Sequence, residues 1–151
     1  RGGCYGAGTL LAGMLVEHVA DGALLLLGGA ALCMCACGAA LPYSASLASL
    51  TLLVGGLNLA AGAVDVMGNV FIVDLWRTDD RRGATGMNLL HAAWSTGATM
   101  APSLAAAIGL EPASLPRVYA TAAALSAASG LAPFLLGRRP RGKGAAALPL
   151  A

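Results

Sequence analysis

Apolar positions along the chain gather into five long runs, set apart by short polar stretches. The runs cover about residues 2–16, 23–42, 47–73, 87–110 and 118–137. A helix needs about 20 mainly apolar residues to cross the roughly 30 Å hydrocarbon core of a bilayer, and each run reaches or approaches that length. The stretches between them, "HVADG", "LPYSAS", "RTDDRRGATG" and "EPASLPR", are rich in the Gly, Pro, Ser and charged residues that interrupt helices. The pattern predicts an all-α, polytopic membrane protein: five membrane-spanning helices over 1–137, then a basic, disordered cytoplasmic tail over 138–151. The chain begins at Arg1 as though already inside a helix, so a fragment is expected.

Composition sharpens this picture. The chain is 58% hydrophobic and 11% charged with a mean hydropathy of +0.75, against roughly 25% charged residues in a soluble domain. The charge is clustered: residues 77–82 hold five charged side chains and residues 138–143 hold four. A net charge of +2 gives no basis for nucleic-acid binding. Five spans place the polar stretches alternately on two sides, one with seven Lys and Arg residues and the other with two. The lysine- and arginine-rich side is the cytoplasmic one, which puts the 77–82 loop and the C-terminal tail in the cytoplasm. Glycine and alanine fill the runs, as in "GGLNLAAGA", and small residues let helix backbones approach closely where no water drives association.

Against that background the polar residues inside the runs stand out. Asp65 lies nine residues before Asp74, about 14 Å deeper at about 1.5 Å per residue and so near the middle of a bilayer. An unpaired carboxylate there costs at least about 2.5–3.5 kcal/mol, so it must face water, hold a partner or carry a proton. Asn58, Asp65 and Asn69 are spaced seven and four apart and share a helical face, with Gly62 leaving room beside the carboxylate. In the next run Asn88, His91 and Ser95 repeat the pattern. Joined by a short loop, the two helices run antiparallel, a register that sets Asn69 level with His91 and Asp65 with Ser95. The acid, amides, imidazole and hydroxyl so aligned suit a hydroxylated solute and a titratable coupling ion. Trp94 reads either as a stacking platform for a sugar or as packing. Asp74, Asp79 and Asp80 read as edge residues among Arg77, Arg81 and Arg82.

Other chemistries fit poorly. Cys33, Cys35 and Cys37 step about 200° from one to the next on a helix, so they cannot close a tetrahedral metal site and read as small buried hydrophobes. Ser95 and His91 on one helix cannot supply a nucleophile, a base and an oxyanion hole, and no catalytic or phosphate-binding motif is present. Neither an enzyme nor a bound cofactor or metal is expected.

"GAVDVMGNVFIVDLW", a charged loop and "MNLLHAAWSTGATMAPSLAAAIG" resemble the fourth and fifth helices of the major facilitator superfamily. The resemblance is to its fucose–proton symporter-like branch and that branch's sodium-dependent glucose transporter relatives. The matching elements are G-x-x-D-x-x-x-N, here Gly62, Asp65 and Asn69, and N-x-L-H…G-A-x-x-x-P, here Asn88, Leu90, His91, Gly97, Ala98 and Pro102. "GTLLAGMLVEHVADG" is similar to the end of helix two and its gating loop, with Gly13 and Glu17 at the glycine and the acid. His18 stands where arginine is usual, and the basic pair that follows is missing. The resemblance implies helices two to six of a twelve-helix plasma-membrane transporter, a partial N-terminal helix bundle that lacks helix one and the second half. It implies ion-coupled secondary transport of a monosaccharide, glucose- or fucose-like, by alternating access. Asp65, Asn69, Asn88 and His91 would bind substrate or a coupling sodium ion or proton, and Gly13 and Glu17 would gate. The competing expectation is a truncated or scaffold membrane protein that transports nothing and whose polar residues only hold helices together.

Overall fold

The structure, a computed structural model, describes residues 2–18, 22–109 and 111–135. Its described part is helical throughout: α1 (Gly2–Val16), α2 (Gly22–Ala40), α3 (Leu47–Leu75), α4 (Asp80–Ile108) and α5 (Leu115–Leu135). Short 3-10 turns at Leu41–Tyr43 and Pro112–Ser114 lead into α3 and α5. Two of these segments, Leu24–Tyr43 and Leu47–Leu75, are long and apolar enough to cross a membrane, and α1 is shorter at 15 residues. The basic tail at 138–151 and most of "HVADG" lie outside the described residues.

Helix ends follow local chemistry. Ser46 and Ser49 cap α3 reciprocally, Ser46 Oγ accepting from the Ser49 N–H at 3.1 Å and Ser49 Oγ from the Ser46 N–H at 3.2 Å. This is a capping box with serine in place of the usual acid or amide. Pro116 sits in the first turn of α5, where its missing N–H costs nothing, so α5 starts three residues before the expected boundary. Gly109 closes α4 at φ 125°, a conformation that side chains rarely adopt.

"RTDDRRGATG", expected as a ten-residue break, is mostly helix. The connection tightens to a turn at Trp76–Asp79, and α4 begins at Asp80, seven residues before the expected start. The reason is a cap: Asp79 Oδ1 accepts from the Arg82 N–H at 3.0 Å, and Asp79 Oδ2 pairs with Arg82 Nε at 3.1 Å. The Arg82 guanidinium also lies 5.3 Å from the Trp76 ring centre. Asp79→Ala is expected to fray the first turn of α4 at a cost of about 1 kcal/mol, seen as faster amide exchange at Arg81 to Gly83.

α3 is central, packing along α1 and along α2, while α5 packs on α2 and α4 touches α3 and α5 only lightly. The seams are made of small residues. On α1 and α3 the buried residues of the seam include Gly8, Ala12, Ala60 and Gly62; on α2 and α5 they include Gly28, Ala31, Ala123 and Gly130, with Gly130 set against Gly28 and Ala31. Met67 is the one large side chain fully buried among the described residues. Leucines point outward instead, Leu47, Leu52 and Leu10 being 79%, 76% and 71% exposed. Large apolar groups outside and small ones within is the arrangement of helices packed in lipid, the reverse of a water-soluble core.

The cysteines obey the same rule and correct the expectation of buried thiols. Cys33 is exposed and Cys35 and Cys37 are half-buried, so none of the three is enclosed in the core. Cys37 Sγ comes within 3.1 Å of where a Cβ on Gly56 would stand, filling the notch that the glycine leaves in α3.

Candidate functional site

Asp65 lies within α3, ten residues before its end, and is half-buried. Its partner comes from α1: the Tyr5 hydroxyl donates to Asp65 Oδ2 at 2.8 Å. Two glycines set this contact. Gly8 lies directly against the Leu59 carbonyl, and Gly62 lies directly against the Tyr5 carbonyl, with Thr9 N at 3.1 Å from the Gly62 Cβ position. With no side chain at either point the helices cross backbone to backbone, and the Tyr5 ring reaches one turn along α3 to the carboxylate.

On the other side stands α4. Ile72 approaches Gly86 and Leu90 approaches Gly68, within 3.0 and 3.5 Å of the respective Cβ positions. These contacts make the pair antiparallel, in a register within one turn of that expected. Above them the helices leave a cleft of about 270 Å³ lined by Tyr5, Val64, Asp65, Leu90, His91 and Trp94. The Trp94 indole is 57% exposed. A carboxylate, a phenol, an imidazole and an indole thus share one open hollow with two aliphatic side chains.

The candidate residues separate at this point. Asp65 and His91 line the cleft together. Asn88 is exposed and outside it, as is Ser95, whose carbonyl accepts from Thr99 Oγ1 at 2.9 Å. Asn69 also lies outside the lining, with Oδ1 buried and without a hydrogen-bond partner among the described residues. Asn58 turns back on its own helix, donating to the Val54 carbonyl at 2.7 Å. Gly13 has open space around it and Glu17 is exposed at the end of α1, next to His18, whose Nδ1 is 2.8 Å from the Met14 carbonyl. Asp74 and Asp80 are exposed at the helix ends.

The chain is 35% identical over 100 residues, 66% of its length, to sodium-dependent glucose transporter 1A of Mus musculus. That relative is a sugar transporter by name. The chain spans about a fifth of it, 22% of its length. No family model matches the sequence, and no solved structure matches it. Tyr5 is the cleft residue that sequence reasoning overlooked. Its one signal was a tyrosine on a glycine-rich helix, in step with Gly8 and Ala12.

Proposed function

We propose that this chain is part of a secondary active transporter that moves a monosaccharide, glucose- or fucose-like, coupled to sodium or protons through Asp65. The observation that carries this reading is a carboxylate part-way along an apolar helix, opening on a cleft with His91 and Trp94. Burying that charge costs at least about 2.5–3.5 kcal/mol, a cost repaid where the charge is used. An exposed indole offers a flat apolar face for a sugar ring, and the acid and imidazole offer partners for its hydroxyls. The similarity to a sodium-dependent glucose transporter supports the same solute class and a non-enzymatic role.

On this reading the five helices span the plasma membrane as part of the N-terminal half of a major facilitator superfamily transporter, with the 77–82 turn and the C-terminal tail cytoplasmic. Substrate exchanges sides as two halves rock about a central site. Asn88, exposed on α4, is then open to a neighbouring helix of the complete protein, and the Gly13–Glu17 stretch serves the cytoplasmic gate.

A second reading has an observation of its own. The Tyr5–Asp65 hydrogen bond ties α1 to α3, and the Asn58 amide is satisfied within its own helix, as a scaffold membrane protein with no transport activity would require. Radiolabelled sugar uptake by proteoliposomes of the complete protein, with sodium and pH varied independently, separates the two. The transporter accumulates sugar when one ion gradient is imposed and not the other; the scaffold gives no flux under any gradient.

A further inference from the structure

Taking the cleft as a monosaccharide site, as proposed above, we infer that Tyr5 and Asp65 act as one unit that recognises two neighbouring hydroxyls of a pyranose. A phenol carries a single O–H, and that of Tyr5 is committed to Asp65 Oδ2 at 2.8 Å. Its oxygen is left as an acceptor only. Asp65 Oδ1 accepts nothing from the described residues and is not closed off from solvent. The pair therefore presents two acceptors side by side, on a wall that continues into Val64 and faces Leu90, His91 and Trp94 across the cleft. A ligand that satisfies both must bring two adjacent donors and a ring able to lie on apolar and aromatic surface. Neighbouring hydroxyls on a pyranose do both. A bare cation would also accept two oxygens, but it leaves the indole and the aliphatic side chains without a role and a hollow of about 270 Å³ unfilled.

Tyr5 is thus a specificity-determining residue that touches substrate, beyond its part in joining α1 to α3. A site built to pair a hydroxyl rejects the analogue that lacks it, because the protein's own polar group is then left unpaired. The test is competition by the monodeoxy analogues of D-glucose and of L-fucose for sugar exchange in proteoliposomes of the complete protein, wild type against Tyr5→Phe. In the wild type, removal of either of two neighbouring hydroxyls is expected to weaken competition about tenfold or more. In Tyr5→Phe the parent sugar weakens about tenfold, and one of those two analogues competes as well as the parent while the other stays discriminated. A purely structural role for Tyr5 weakens every sugar by the same factor and leaves the wild-type deoxy pattern intact. That outcome overturns the inference while the transport reading stands. A change in cation half-saturation with sugar affinities unmoved overturns it equally, making the pair a cation ligand. Wild-type protein that takes up neither D-glucose nor L-fucose overturns the transport reading and this inference with it.

Discussion

Asp65→Asn is expected to abolish accumulation of sugar against a gradient while sugar exchange stays measurable at lowered affinity. The amide NH2 that replaces Oδ1 cannot accept a sugar hydroxyl, a loss of about tenfold. Asparagine has nearly the shape of aspartate and keeps an oxygen that accepts the Tyr5 hydroxyl now bonded to Asp65 Oδ2, so the α1–α3 contact survives. What it loses is the charge, and with it the means of holding a sodium ion or exchanging a proton. Relief of a buried carboxylate, worth at least about 2.5–3.5 kcal/mol, leaves the variant at least as stable as the parent. Loss of concentrative uptake with unchanged or raised thermal stability therefore isolates coupling from folding. The measurement is uptake into proteoliposomes of the complete protein under an imposed sodium or proton gradient, beside equilibrium exchange without one. Full accumulation by the variant would remove Asp65 from the coupling mechanism.

The second large effect is expected from one methyl group. In Gly62→Ala the new Cβ falls directly on the Tyr5 carbonyl, a backbone atom that cannot rotate away. Overpacking against side chains costs about 1–3 kcal/mol, and a clash with backbone belongs at or above that upper end. α1 must lift from α3, taking the Tyr5 hydroxyl from Asp65. Proximity reads this out: Cys4 Sγ lies 3.7 Å from the Cβ position of Gly55, near enough for Gly55→Cys to form a disulfide with Cys4 after small side-chain adjustment. That cross-link should form in the parent background, mapped by mass spectrometry, and fail when Gly62→Ala is added. Gly6→Ala, on the same helix but with nothing within 4 Å of its Cβ position, should leave the cross-link intact. Equal cross-linking in all three backgrounds would mean that Gly62 does not set the crossing.

Much of the helical layout was legible in the sequence, because proline, glycine and serine mark ends by mechanisms that need no tertiary partner. Leu47 as the start of α3 follows from Ser46 and Ser49 alone. The start of α4 was misread because dense charge in "RTDDRR" resembles a loop, although an aspartate cap and a first-turn acid are favourable at a helix N-terminus. Within the candidate site, Asp65 and His91 were legible as polar residues in apolar runs. The exclusion of Asn88 was not. Three residues on a helix amount to about 300° of rotation, so His91 lies about 60° round from Asn88 and Trp94 another 60° beyond. The arc facing α3 takes Leu90, His91 and Trp94 and leaves Asn88 behind. Asn69 is likewise about 40° round from Asp65, enough to carry it out of the lining. Tyr5 was beyond reach for another reason: its partner is 60 residues away, and only the glycine-to-backbone crossing, a tertiary fact, brings them together.

The alanine and glycine seams also govern the order in which such a molecule can assemble. Their small side chains gather too little apolar area to pull unformed segments together, and the large leucines that could do so point the other way. Gly8 recognises Leu59, and Gly62 recognises Tyr5, only through backbone that is already helical. Helix formation must therefore come first and docking second, and the Tyr5–Asp65 bond can close only after both. Damage at Gly62 should leave the helices themselves intact and stop assembly one step short, with α1 a finished part that never seats on α3.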